Sequence, residues 1–488
     1  MNLYLAALLV YAAFLMGLGL WVGRRVRTSA DFLVAGRRLG PGALFATFLA
    51  ANIGAGSTVG ATGLGYRFGL SAWWWVGSAG IGTLLLAQFI GPRIWTIAQR
   101  HRLSTLGDYL ELRYSRAVKA VVAVLFWFGA LAILAGQLIA ISWILAVVID
   151  LPKWAGCSIG GAVAILYCTA GGLTGSAFIN RFELAVTLSG LVLAVPFSLH
   201  ALGGWSHLHF LIAQQNLAAA PARFSLIGAG PHQILAWIAI LVPSFIVSPG
   251  LIQKLYGARS ASAVRTGIGL NSIGQLLFAF VPPILGLCAL AAFPHLANPE
   301  LALPSAMKLL LPRWLGLWTL ASIFSAELSA TDAILFMLSS SLTVDLYQTF
   351  LNPKAEGPRL LTIGRIVCVL AGVAGIFLAI ALPSIIAAVS LFYSLIAVVL
   401  FVPVLAGLYA KRALASAALT SIAVALATTL TINSLTHGQG LALLSPQALG
   451  ILGAALVFLA FSAFTRSHAG ATPPRPPQST GASPQNQA

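Results

Sequence analysis

About thirteen apolar stretches, each close to the roughly 20 residues that a helix needs to cross a bilayer, dominate this sequence. Hydrophobic residues make up 59% of the chain and charged residues only 8%. A soluble globular protein has about 25% charged residues, and disordered chains are poor in apolar residues. The stretches lie near 3–23, 41–65, 70–94, 119–149, 155–174, 182–203, 232–253, 264–293, 314–343, 361–382, 384–409, 413–434 and 447–465. They predict an all-α polytopic membrane protein in a lipid bilayer.

The basic residues are distributed unevenly between the predicted loops. The chain has 27 Lys and Arg against 10 Asp and Glu, a net charge of +17, which in a soluble protein would suggest a nucleic-acid partner. With the N-terminus outside, the outer loops hold only five of the 27, which are Arg67, Lys153, Arg223, Lys308 and Arg313. The other 22 lie inside, as the positive-inside rule requires. This asymmetry predicts an N-out, C-in protein of the plasma or inner membrane, and no nucleic-acid partner.

The predicted transmembrane domain covers residues 1–466. Residues 467–488 are rich in Pro, Ser and Gln and predict a disordered cytoplasmic tail. This tail is too short for a signalling domain, so a sensor would have to act through a separate partner. The histidines fall in loops, in the tail or at span ends, where they form no cluster for a membrane-embedded enzyme. We therefore expect no enzymatic activity, and the sequence does not indicate an oligomeric state.

Two predicted spans are interrupted by helix-breaking residues. The second contains Gly54, Gly56 and Gly60 within residues 50–60, and the seventh contains two prolines and a glycine within 243–250. A break at bilayer depth is tolerated only where it lines a cavity or is buried in protein. Close packing through small residues is the alternative explanation for the glycines. Paired interruptions predict an inverted-repeat transporter, with spans 2–6 and 7–11 as the two repeats.

Two acidic residues, Glu327 and Asp332, lie inside the ninth span. A charged carboxylate at a helix centre costs roughly 2.5–3.5 kcal/mol, so such residues usually have a function. At 100° per residue, Asp332 lies about 60° from Ser329 on the helix and Glu327 about 160° from it. We therefore expect Asp332 beside Ser329 at a cation site, since oxygen ligands suit alkali cations. Three roles stay open for Glu327: a protonated side chain, a pair with a basic residue, or proton coupling.

Other polar or aromatic residues at bilayer depth are candidates for contact with a solute. Each of these side chains alone is more typical of a bridge between helices. Their positions on the interrupted spans and on the fourth and eleventh spans nevertheless suggest a shared polar cavity. The candidates are Asn52, Ser57, Gln137, Ser244, Phe245 and Tyr393.

Five short motifs, in order along residues 1–465, resemble those of the sodium:solute symporter family, which includes sodium/glucose and sodium/proline transporters. They are Asp31 to Arg38 (DFLVAGRR), Ser104 to Leu110 (STLGDYL), Tyr167 to Leu173, Gln253-Lys254 with Ala258-Arg259-Ser260, and Ser339 to Tyr347. The resemblance implies a LeuT-like core that couples solute uptake to sodium entry. Sodium would be a transported ion and not a tightly held cofactor.

The resemblance also implies a sodium site. Its ligands would be backbone carbonyls at Ala50, Ile53 and Ala326 and the hydroxyl of Ser329. Two positions depart from the family pattern: Ala330 replaces a second hydroxyl, and Asn180 replaces an aspartate that follows the fifth-span motif. The predicted function is sodium-coupled symport of a small organic solute by alternating access. Proton-coupled symport on the same fold is the alternative.

Overall fold

The computed structural model describes residues 3–23, 37–215, 220–352, 358–410 and 414–469, without the side chains of 16, 18–23, 167–180, 220, 358, 361 and 462–469. The first part of the DFLVAGRR motif, the side chains of the Tyr167 motif and of Asn180, and the tail from residue 470 lie outside this description. The domain boundary predicted at 466 therefore stays a prediction.

The described backbone is helical, with no extended strand in any of those ranges. Helices in the first half are α1 (Leu3–Gly23), α2 (Pro41–Asn52), α3 (Val59–Phe68), α4 (Trp73–Leu85), α5 (Gly91–His101), α6 (Leu106–Arg113), α7 (Arg116–Ile149), α8 (Lys153–Ala201), α9 (Trp205–Gln214) and α10 (Ala220–Arg223). Short 3-10 and π segments, Gly69–Ala72 and Leu86–Ile90, join α3 to α4 and α4 to α5. The chain is therefore an all-helical bundle.

The second half repeats this pattern of long apolar helices. Its helices are α11 (Pro231–Val247), α12 (Pro249–Tyr256), α13 (Ala261–Phe278), α14 (Val281–Ala292), α15 (Ala302–Leu309), α16 (Arg313–Ser340), α17 (Pro358–Ala381), α18 (Ile385–Tyr409), α19 (Ala415–Leu435) and α20 (Pro446–Ala469), with a 3-10 turn at Pro299–Leu301 and a π segment at Ser341–Leu351. Within the described ranges, nine helical segments are long and apolar enough to cross a membrane. This finding supports a multi-pass membrane protein, whereas the number thirteen and the N-out orientation stay predictions.

Both predicted interruptions are breaks in the helices. Helix α2 ends at Asn52 and α3 begins at Val59, with Ile53 in an extended conformation (φ −96°, ψ 98°). Helices α11 and α12 meet at the non-helical Ser248 (ψ 120°), where Pro249 begins α12. Proline has no N–H to donate and disfavours a helical conformation of the residue before it. The two breaks leave backbone groups available in the interior of the bundle.

The fifth and sixth predicted spans lie in one continuous helix, α8, so the loop predicted at Arg181 is absent from the described backbone. Its 49 residues would extend about 74 Å if straight, more than twice the hydrocarbon thickness. Lys153 at the start of α8 donates to the Leu382 carbonyl. Near its end, Phe197 packs against Trp314 with ring centroids 5.8 Å apart. The absence of proline before Pro196 lets the helical backbone continue between the two apolar stretches.

Helices α3 and α14 pack in direct backbone contact at glycine. A Cβ added to Gly286 would lie 2.5 Å from the Thr62 carbonyl oxygen and 2.5 Å from the Tyr66 nitrogen. Gly286→Ala should therefore lower the unfolding free energy by about 1–3 kcal/mol, the usual cost of overpacking. Thermal unfolding in detergent measures this effect. Gly42→Ala is the control, because nothing lies within 4 Å of the added Cβ, and an equal loss in both variants would contradict the close packing.

Candidate functional site

Side chains from other helices hold the break between α2 and α3. Residues Ile53–Thr58 lie between the two helices and do not form a regular helix. Part of their backbone therefore needs hydrogen-bond partners from other helices. Gln137 Oε1 on α7 accepts from the Ala55 N–H at 2.8 Å. Trp75 Nε1 on α4 donates to the Gly56 carbonyl at 2.8 Å. These bonds replace the missing helical ones and fix the break against both neighbouring helices.

A small, tightly lined cavity lies beside this break. All four residues of the sodium site that the resemblance implied line this cavity, although they come from α2, its C-terminal cap and α16. Three residues of α8 complete the lining. The full set is Ala50, Ile53, Glu183, Leu184, Thr187, Ala326 and Ser329. The structure thus brings the predicted cation residues together at one place and adds a carboxylate.

Glu183 is the residue that sequence reasoning missed. Its side chain is fully buried, and Thr187, one turn later on the same face of α8, is 2% exposed. The family pattern directed attention to Asn180, and Arg181 suggested a loop. A carboxylate and a hydroxyl four residues apart in an apolar stretch were the available signal. Together they supply the hard oxygen ligands that an alkali cation prefers.

Asp332, the fifth predicted cation residue, is not among the residues that line this cavity, so its place beside Ser329 at a cation site stays a prediction. Three residues along a helix displace a side chain by about 4.5 Å as well as turning it. Asp332 is 6% exposed and interacts electrostatically with Lys254 of α12. Asp332 thus lies within electrostatic range of a basic side chain on the other broken helix.

A larger central cavity of about 640 Å³ lies between the two helix breaks. It is lined by both breaks and by α7, α16 and α18. The lining residues are Ala51, Asn52, Gly54, Gly56, Ser57, Ile133, Gln137, Phe245, Ser248, Gly250, Leu251, Lys254, Ala333, Ile334, Met337, Phe392 and Tyr393.

Five of the six predicted solute residues line this central cavity, and Ser244 does not. The Ser244 hydroxyl donates to the Leu241 carbonyl of its own helix at 3.1 Å, which is a common arrangement for serine in a helix. Asn52 Nδ2 donates to Gln275 Oε1 at 3.2 Å, and Ser57 donates to the Asn52 carbonyl at 2.8 Å. These two residues therefore stabilise the break as well as lining the cavity.

Glu327 lines neither cavity. It is fully buried on α16, and its Oε1 accepts from the Thr58 hydroxyl at 2.7 Å. Its Oε2 has no hydrogen-bond partner among the described residues. Thr58 is the N-cap of α3, so the carboxylate lies at the positive end of that helix. The contact joins the break to α16.

A charged cluster lies at the predicted cytoplasmic ends of the helices. Lys119 Nζ is 2.9 Å from Asp108 Oδ1, 3.1 Å from Glu111 Oε2 and 3.8 Å from Asp345 Oδ1. A cavity of about 360 Å³ separates this cluster from the central cavity, and Met337 lines both cavities. The cluster therefore connects α6 and α7 with the π segment after α16, below the central cavity.

Glu300 makes a comparable connection at the predicted outer side. Its carboxylate accepts from the Ile385 N–H, at the start of α18, at 2.7 Å and from Trp143 Nε1 at 3.0 Å. Burial raises the pKa of Glu300, and these hydrogen bonds limit the rise. The turn that carries Glu300 is thus attached to α7 and α18 above the central cavity.

Comparison with known proteins finds a symporter family and individual symporters as relatives. The model of the sodium:solute symporter family matches residues 32–425. The chain is 24% identical to the uncharacterized symporter YidK of Escherichia coli K12, over 71% of this chain and 63% of that protein. It is 24% identical to the sodium/glucose cotransporter of Vibrio parahaemolyticus, over 74% and 72%. It is 26% identical to the sodium/pantothenate symporter of E. coli K12, over 86% and 88%.

Solved structures show a LeuT-like fold. A sodium-coupled sialic acid symporter, solved in a substrate-bound outward-open state, superposes with a TM-score of 0.77 at 18% identity, over 94% of this chain and 97% of that one. MhsT in complex with L-phenylalanine superposes with a TM-score of 0.53 at 15% identity, over 87% and 98%. The family model covers most of the sequence. The chain therefore belongs to the sodium:solute symporter family.

Proposed function

We propose that this protein is a secondary active symporter that couples sodium entry to uptake of a small organic solute across the plasma or inner membrane by alternating access. The observation that carries this proposal is the small cavity in which Ala50, Ile53, Ala326 and Ser329 meet. It lies beside the break that also lines the central cavity. A cation and a solute bound at these two places would share the same unwound segment. Their binding would therefore be coupled through the Ile53–Thr58 backbone.

The fit of the small cavity to sodium depends on its oxygen atoms. Sodium is here a transported substrate, held by main-chain carbonyls at the helix break and by the hydroxyl of Ser329. Glu183 and Thr187 would replace the hydroxyl ligand that is lost with Ala330. A buried carboxylate also balances the charge of the ion, which a site made of carbonyls and hydroxyls alone does not. The site therefore suits a monovalent cation despite Ala330.

The energy available from sodium is sufficient for concentrative uptake. A monovalent cation that enters down 100 mV releases about 2.3 kcal/mol, which supports roughly 50-fold accumulation of a neutral solute. The family and the relatives named above are transporters, which agrees with the expectation of no enzymatic activity. Proton-coupled symport through Glu327 is the second candidate. A transporter-like sensor that acts through a separate partner is less favoured.

Ser329→Ala should sharply reduce sodium-dependent uptake. The solute is first identified by a thermal-shift screen of the purified protein against a solute library, with and without sodium. Uptake of that solute into proteoliposomes is then measured with external sodium or choline at fixed pH. Loss of one oxygen ligand should raise the half-saturating sodium concentration at least about tenfold, which corresponds to about 1.4 kcal/mol. Wild-type uptake that is unchanged without sodium would contradict sodium coupling.

A further inference from the structure

Lys254 is a buried cationic side chain that lines the central cavity. It lies on α12, is 4% exposed, and its Nζ donates to the Thr47 carbonyl of α2 at 3.3 Å. This single long hydrogen bond uses one of the three donors of an ammonium group. A charged group is costly at this depth and is usually kept for a function.

The charge of Lys254 is not matched within the cavity lining. Among the lining residues that the structure describes, Lys254 is the only one with a charge. Asp332 acts on Lys254 electrostatically and does not itself line the cavity. The described lining therefore presents a basic side chain and no acidic one. A solute carrying an ammonium group would be repelled, and a solute with an anionic group would be attracted.

The N-terminus of α12 faces the same part of the cavity. Ser248, Gly250 and Leu251 line the cavity at the start of this eight-residue helix. The first N–H groups of a helix have no partner within it, and the helix dipole is positive at this end. The equivalent end of α3 already has a carboxylate, because Glu327 accepts from its N-cap residue Thr58. The α12 end is thus the one that a solute can use.

Away from Lys254 the lining combines apolar and aromatic side chains with the neutral polar residues Asn52, Ser57 and Gln137. The rings of Phe245 and Tyr393 lie 5.2 Å apart, and Phe392, Ile133 and Ile334 also line the space. Such walls fit the hydrocarbon or aromatic body of a small molecule. The cavity therefore has one positive region and several apolar walls.

We propose that the transported solute is a small organic acid bound as its carboxylate. The carboxylate binds Lys254 and the N–H groups at the start of α12, and the body of the solute packs against Phe245, Tyr393 and Phe392. Half-helix N-termini at a transporter midplane are suited to anionic substrate groups, and an ammonium strengthens such hydrogen bonds. This inference rests on the proposed function, because it takes the central cavity as the solute site.

The test compares acids with their neutral isosteres in thermal-shift and competition assays on the purified protein. The probes are butyrate and butyramide, phenylacetate and phenylacetamide, and benzoate and benzamide, each in sodium chloride and in choline chloride. We expect stabilisation by at least one acid and at least about tenfold weaker binding of its amide. Equal stabilisation by acid and amide, stabilisation by amides alone, or stabilisation by none of the acids would overturn the proposal.

Variants locate the effect within the cavity. Lys254→Gln should weaken binding of the active acid at least about tenfold, and Lys254→Arg should restore most of it. Lys308→Gln is the control, because Lys308 also donates to a backbone carbonyl, that of Val147, but lies outside the cavity lining. Wild-type affinity in Lys254→Gln would overturn the proposal. Equal acid binding in sodium chloride and in choline chloride would contradict sodium coupling and support the carboxylate site. A neutral solute that binds only in sodium chloride would support sodium coupling and contradict the carboxylate site.

Discussion

Replacing Glu183 with glutamine is expected to abolish most sodium binding. The fully buried carboxylate lines the small cavity with Ser329 and with Ala50 and Ile53 at the break, whose backbone carbonyls are the proposed ligands. Removing one partner of a buried charge interaction costs about 2–5 kcal/mol. The half-saturating sodium concentration should therefore rise roughly 30-fold or more. Sodium titration of the unfolding temperature of the purified protein measures this change without knowledge of the solute.

The control for this experiment is Asp150→Asn. It makes the same carboxylate-to-amide change at an exposed residue, in a left-handed conformation (φ 55°) that asparagine accepts. Its sodium titration should match that of the wild type. A Glu183→Gln protein that folds and keeps wild-type sodium affinity would show that the carboxylate is no ligand.

The second large effect is expected at Glu327. Glu327→Ala removes one of the two acceptors beside the Thr58 hydroxyl, the other being the Gly54 carbonyl at 2.9 Å, and leaves a space in the core. Loss of a hydrogen bond costs about 0.5–1.5 kcal/mol, the space adds a cavity cost, and loosening the break should lower uptake at least about tenfold. Glu327→Gln retains an oxygen acceptor for Thr58 and should keep most of the uptake and its sodium dependence. Uptake and unfolding temperature are measured together in both variants.

This pair of variants also separates the two coupling ions. If Glu327 only positions the break, glutamine substitutes for it and a pH gradient without sodium drives no uptake. If Glu327→Gln abolishes uptake as completely as alanine, while Ser329→Ala has little effect and a pH gradient suffices, the proton-coupled alternative is correct. Glu327 lies outside both cavities, which favours the positioning role.

Much of the fold could be predicted from local sequence patterns. Long apolar stretches predict membrane helices because the bilayer requires a minimum length and internal backbone hydrogen bonds. Glycines and prolines predicted both breaks, at Ile53–Thr58 and at Ser248. The continuous helix at Lys153–Ala201 was not predicted. Hydropathy shows where an apolar stretch ends, but a helix can continue through the polar residues beyond it.

Site residues could be predicted from the sequence where they share one helix or one motif. Residues that reach the site only through packing between distant helices could not. Ser329 and Ala326 came from the sodium site that the family resemblance implies on a single helix. Glu183 was missed because its importance depends on α8 packing against α2 and α16, which no local pattern reveals. Asp332 does not line the small cavity, because helical angles alone ignore the displacement along the axis. The sequence places Lys254 in a family motif, but only the packing of α12 shows that its side chain lines the central cavity.

Equilibrium binding of radioactive sodium to the purified protein, at fixed pH and ionic strength, tests the sodium site most directly. Wild type and Asp150→Asn should show saturable binding that unlabelled sodium displaces and potassium does not. Ser329→Ala and Glu183→Gln should lose most of that binding while remaining folded. Absence of saturable binding in the wild type, or equal binding in all four proteins, would contradict a sodium site formed by Ser329 and Glu183 at the helix break.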